Sequence, residues 1–114
     1  MEIKKWFEDG TGLKIRERRV LQKPPLPYSV FFDDMSYRGA DQKNNINEHN
    51  ITIEHYHDGE KQNHEKIIES FLILEKEKGR FDNFTKNREY LHNESLWVTV
   101  FELSPFLVKT RKEK

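Results

Sequence analysis

The stretch "NEHNITIEHYHD" (Asn47–Asp58) decides how this chain is read. His49, Ile51, Ile53, His55 and His57 fall on one side of an extended backbone, and Asn50, Thr52, Glu54 and Tyr56 on the other. That period of two is the pattern of a β-strand with one buried face. The stretch also holds His49, His55 and His57 of the chain's five histidines. His55 and His57 stand at i and i+2, roughly 6.6 Å apart at a strand's rise, a spacing at which two imidazoles can bind one metal ion. A catalytic zinc site usually takes three protein ligands. His49 lies about 20 Å from His55 by the same rise, so His64, Asp58 or Glu60 would have to fold back as the third. The simpler expectation is a sheet strand. Ile51 and Ile53 pack under a helix, the histidines occupy its two wetter ends, and no metal or cofactor is bound.

Working outward, "PYSVFFDD" (27–34) alternates as a second strand, with Tyr28, Val30 and Phe32 facing one way and Ser29, Phe31 and Asp33 the other. The polar segment "MSYRGADQKNNIN" (35–47) is expected to be a long loop, and loops of that length are commonly contact elements. After the turn "DGEKQN", the segment "HEKIIESFLILEKEKG" (64–79) predicts a helix with Asn63 as N-cap and Gly79 as its stop. Its expected inward face is Ile67, Ile68, Phe71, Leu72, Leu74 and Glu75. Segments 80–91 and 96–104 predict two further strands joined by a turn at "HNES". Pro105 should interrupt pairing, leaving 105–114 as a flexible tail. At the other end Ile3, Trp6 and Phe7 form one face of a short helix stopped near Gly10. "LKIRERRVL" (13–21) is a short strand or extended link, and "KPPLP" (23–27) a rigid connector. The order helix-strand-strand-helix-strand-strand predicts one α+β domain over 1–114. Its architecture would be an antiparallel four-stranded sheet with the helices packed on one face.

Composition removes several functions. Apolar residues make up 34% of 114 residues and charged residues 35%. So thin a core gives subunit association a raised prior. Twenty basic residues balance twenty acidic ones, which disfavours specific nucleic-acid binding. There are no cysteines, hence no disulfides and no thiolate chemistry. No apolar run approaches the ~20 residues of a membrane span, and "MEIKKWFEDG" lacks the pattern of a secretory signal. Asp33 and Asp34 point to opposite strand faces and cannot act as one acid–base pair. "GTG" has no phosphate-loop context, and no serine sits in a nucleophile elbow. No catalytic residue is expected.

Taken together, "LPYSVFFDD", "YRGAD", "INEHNITIEHYHD", the charged helix and "LWVTVFEL" resemble the small tail-terminator or tail-completion (head–tail joining) proteins of long-tailed bacteriophages and prophages. The resemblance runs from Met1 to about Leu103. It implies a structural, non-enzymatic protein without cofactor. Such a protein forms a homo-oligomeric ring, commonly hexameric, that caps the tail tube and joins it to the head connector. Its partners would be itself, the tail-tube protein and head-connector proteins, first in the host cytoplasm and then in the virion. Candidate contact residues are Arg38, Gly39 and Asp41 in the long loop, with Trp6, Phe7 and Phe106 as apolar anchors. Two other readings remain open: a small metal-dependent enzyme using His55 and His57, and a cytoplasmic protein-interaction module.

Overall fold

A computed structural model describes residues 2–17, 25–37, 46–59 and 63–109, with 34–37, 46–49 and 104–109 described through their backbone. The elements are α1 (Ile3–Thr11), β1 (Arg16–Glu17), β2 (Tyr28–Tyr37), β3 (Ile46–His57), α2 (Asn63–Glu77), β4 (Phe81–Leu91) and β5 (Leu96–Lys109). They build a five-stranded sheet in the order β1-β2-β3-β5-β4. β1 runs parallel to β2, pairing Arg16 with Val30 and Glu17 with Phe31; the other pairings are antiparallel. The class is α+β as expected, but the expected four-stranded antiparallel sheet is replaced by a five-stranded mixed one. The reason is local. The chain leaving α1 turns beside β2 in extended conformation, and two residues are enough to add a parallel edge strand.

The register explains why one face is apolar. Phe31, Ile53 and Phe101 lie in one cross-strand row, and Ile51 and Leu103 in the next. These side chains are buried together with Ile3 and Phe7 of α1, Ile15, Ile68, Phe71 and Leu72 of α2, and Phe81. Both helices therefore cover the same face of the sheet. Cross-strand neighbours on one face are the unit by which a sheet is held together.

Each helix ends on a glycine in the left-handed region. α1 closes with Gly12 (φ 77°), whose N–H donates to the Glu8 carbonyl, so the stop falls two residues beyond the expected Gly10. α2 closes as a Schellman motif: Gly79 N–H donates to Lys76 and Arg80 N–H to Glu75.

Three further expectations are corrected. The inward face of α2 is Glu65, Ile68, Phe71, Leu72 and Glu75, whereas Ile67 and Leu74 are 40% and 57% exposed. Spacings of three, four and three residues from Glu65 through Ile68 and Leu72 to Glu75 keep one helical face; Ile67 and Leu74 lie beside it. β5 continues through Pro105 to Lys109. Between the pairs Ile51–Leu103 and His49–Phe106 it carries one residue more than β3, a bulge that accommodates a residue with no N–H to donate. Part of the expected 35–47 loop is strand, since Ser36 pairs with Glu48 and Tyr37 with Asn47.

Candidate functional site

Next to the apolar rows the sheet carries a polar one. Ser29, His55, Thr99 and Arg88 are directly opposite one another on β2, β3, β5 and β4. They lie on the helix-covered face, and the first turn of α2 comes down over them. The first three are 2%, 1% and 0% exposed, and Glu65 of α2 is 1% exposed. His55 and His57 thus sit inside the domain, not at a wet strand end; the side chain of His49 lies outside the described residues. The sheet face turns polar here because the first turn of α2 brings a carboxylate instead of an apolar side chain.

Gly59 N–H donates to His57 Nδ1 at 3.1 Å. Nδ1 is therefore an acceptor, and the neutral ring carries its proton on Nε2. That proton faces Thr99 Oγ1 at 2.8 Å. The Thr99 hydroxyl in turn donates to Glu65 Oε1 at 3.1 Å. The other carboxylate oxygen meets Arg88 Nη2 at 2.6 Å and Lys86 Nζ at 2.8 Å. The result is a directed chain from the turn after β3, through two strands, to an anion on α2.

The charges follow from these contacts. Burial pushes the Glu65 carboxyl upward, but the hydrogen bonds from Arg88 and Lys86 outweigh it and hold the group down to about 2. Position in the first turn of α2 also favours an anion. Burial lowers His57, against the pull of Glu65. Burial, then His57 and His64, lower His55 to about 4, with Glu65 opposing. Both buried histidines are neutral at pH 7.

His55 is the less complete member. Its Nδ1 lies 2.9 Å from Ser29 Oγ, while its Nε2 is the one buried side-chain nitrogen or oxygen without a partner among the described residues. Its ring stacks on His57 at 5.4 Å between centroids and approaches His64 at 6.1 Å. Ser29, His55 and His64 line a cleft of about 450 Å³. The Ser29–His55 pair has the outline of a nucleophile and base. A base lowered to about 4 is badly matched to proton abstraction near neutrality, however.

Among the described residues, no group of three or more His, Asp or Glu side chains is placed to hold a metal ion. His57 already uses both ring nitrogens, and His55 offers only Nε2. The pair facing one strand side, which suggested a metal bite, is engaged in hydrogen bonding.

The remaining candidate contact residues are distributed differently. Arg38, Gly39 and Asp41 lie outside the described residues. Phe7 is fully buried in the core, so its surface is used within the chain's own fold. Trp6 is half-buried against Phe71, with ring centroids 4.8 Å apart, and its Nε1 donates to Glu75 Oε1 at 2.8 Å. Phe106 pairs through its backbone with His49 and Phe81.

Glu75 is a second buried carboxylate, 6% exposed, which also accepts from Arg80 at 3.1 Å. Sequence reasoning placed Glu75 on the inward face and missed Glu65. The 3-4-3 spacing that joins the two through Ile68 and Leu72 was the available signal.

No protein-family model matches the chain, and no curated protein matches it.

Proposed function

We propose that this chain is a structural, non-enzymatic subunit that assembles into a ring, in the manner of the tail-terminator proteins its sequence resembles, capping a tail tube and meeting a head connector. The observation that carries the assembly is the outer side of α2. Ile67, Ile73 and Leu74 are 40%, 44% and 57% exposed. A helix inside a self-sufficient domain keeps polar residues there. Here the apolar arc is wider than the sheet can cover, and a second copy of the chain is the occupant that completes it. The polar network supports a structural role, because Glu65 is sealed from solvent and fully engaged with Thr99, Arg88 and Lys86. The tail-specific part of the proposal rests on the sequence resemblance.

The test is sedimentation of the wild type beside Ile67→Glu/Leu74→Glu. Both positions are exposed, so the variant is expected to melt like the wild type yet to lose self-association. In assembled particles, it should also fail to stop tails at their normal length. Unchanged self-association would remove α2 as the contact. Normal tail length with the chain absent would remove the terminator role.

A further inference from the structure

The geometry points to a second use of the His55 cleft: it binds a small organic anion, a carboxylate or phosphate monoester carrying an apolar body. The cleft lies between the segment after α1, the segment leading into β2, and the first turn of α2. Lys14, Arg16 and His64 bring positive or protonatable groups to its wall, with Ser29 and His55 beside them, and among the described residues no carboxylate lines it. Leu13, Pro27 and Tyr28 supply apolar surface. A volume of about 450 Å³ lies within the usual range of small-molecule sites, which combine an apolar lining with a few convergent polar groups.

The orphan Nε2 of His55 is the independent sign. A buried polar atom without a partner costs free energy, and such atoms in native proteins call for an explanation. The Ser29 Oγ–His55 Nδ1 contact serves either tautomer; with the proton on Nε2, and in the charged ring, Nε2 is a donor with no acceptor among the described residues. An oxygen entering between the imidazoles of His55 and His64 gives it one. A cationic ligand would meet no carboxylate among the described residues of the cleft. A metal ion would find too few ligands among the described residues.

The site also has a linkage signature. His55 faces His57 on its own strand, Ser29 on β2, Thr99 on β5, and His64 and Glu65 on α2. Burial first, and then the two histidine neighbours, hold it neutral. An anion beside the ring favours the charged form, so binding draws the His55 pKa upward and takes up protons below neutrality. This site is independent of the ring assembly.

The experiment is an NMR titration of the full chain at pH 7, following the ¹⁵N and ¹H signals of the imidazoles. Phenyl phosphate, benzoate, inorganic phosphate and benzylamine are the probes. Phenyl phosphate and benzoate are expected to bind at about millimolar Kd or tighter. They should shift His55 Nε2 and raise the His55 pKa by roughly one unit or more. Lys14→Glu/Arg16→Glu, at two exposed positions, should leave melting unchanged and weaken both ligands by roughly tenfold or more. Benzylamine is expected not to bind. The proposal fails if neither phenyl phosphate nor benzoate moves His55, if charge reversal leaves their affinity unchanged, or if benzylamine competes. Inorganic phosphate binding as tightly as phenyl phosphate would overturn the apolar-body part.

Discussion

Glu65 on α2 and Thr99 on β5 are joined by a 3.1 Å hydrogen bond, and both are essentially inaccessible to solvent. The carboxylate is the acceptor that lets a threonine and a histidine stay inside the sheet's covered face. It also ties α2 to β4 through Arg88 and Lys86. Breaking a buried charged pair is costly because the surviving partner stays buried. Here both cations are partly exposed, at 37% and 29% of their side chains, and can turn to water. The stranded group is Thr99. Glu65→Ala is therefore expected to cost about 2–3 kcal/mol, and Glu65→Gln, which keeps an acceptor for Thr99, about half that. Urea denaturation of both variants measures this. Equal losses would show that the acceptor role is not what matters.

Acid should unfold the protein in two stages. The folded chain lowers His55 from 6.5 to about 4, so between those values the unfolded chain binds more protons. Stability then falls as pH drops. Full benefit is present above 6.5, and the loss to about pH 4 reaches at most about 3–4 kcal/mol at ~1.4 kcal/mol per unit. Glu65, lowered from 4.5 to about 2, acts in the same direction over a lower window. Its contribution is complete above 4.5 and is lost toward 2. Unfolding free energy measured across both windows should slope downward throughout. In His55→Gln the upper slope should become shallower, with His57, also lowered by burial, supplying what remains, while the lower one persists. A wild-type plateau between 6.5 and 4.5 would contradict the buried neutral histidine.

Gly10 lies within α1, where alanine ordinarily strengthens a helix by about 1 kcal/mol. In this chain a Cβ at position 10 would run into the ring of Phe71. That ring packs on Trp6 and Phe7, at centroid distances of 4.8 and 6.1 Å, and making room for a Cβ would disturb both contacts. Gly10→Ala is expected to destabilise by about 1–3 kcal/mol, the usual cost of overpacking. Phe71→Ala should cost about 3–5 kcal/mol through the cavity it leaves. Melting curves decide, and a raised melting temperature for Gly10→Ala would mean that the two helices are looser than this packing implies.

Legibility followed the strength of local signals. The alternation in β3 and β5, the glycine stop of α2 and the turn at 92–95 were all readable, because each is set by residues close in sequence. β1 was read only as a strand or a link, since two residues carry no period and its partner lies far along the chain. Ile67 and Leu74 were placed inward because the apolar arc of α2 is broad and says nothing of how much of it the sheet covers. The polar row was not legible at all. Ser29, His55, Thr99 and Arg88 come from four strands and meet only through register, and Glu65 reaches them only through the docking of α2.

The last prediction concerns Gly59, where the turn after β3 fixes the tautomer of the buried network. Gly59 has φ 88°, a conformation that side-chain-bearing residues rarely adopt. A Cβ there would stand 2.6 Å from Trp97 Cδ1 and Nε1, closer than packed atoms come. Its N–H donates to His57 Nδ1, which leaves the His57 proton on Nε2 and points it at Thr99. Substitution by alanine therefore acts twice. It strains the backbone and crowds the indole, at a combined cost of about 2–4 kcal/mol. It also loosens the donor that selects the tautomer. In the wild type the ¹⁵N shifts of His57 should report a protonated Nε2 and an unprotonated Nδ1. In Gly59→Ala the two signals should move toward each other as the second tautomer gains population, while the Ser29–His55 pair keeps its own shifts. Melting and imidazole spectra measured on one sample separate the two effects. A destabilised variant with unchanged His57 shifts would mean that Thr99 and Glu65 alone orient the ring.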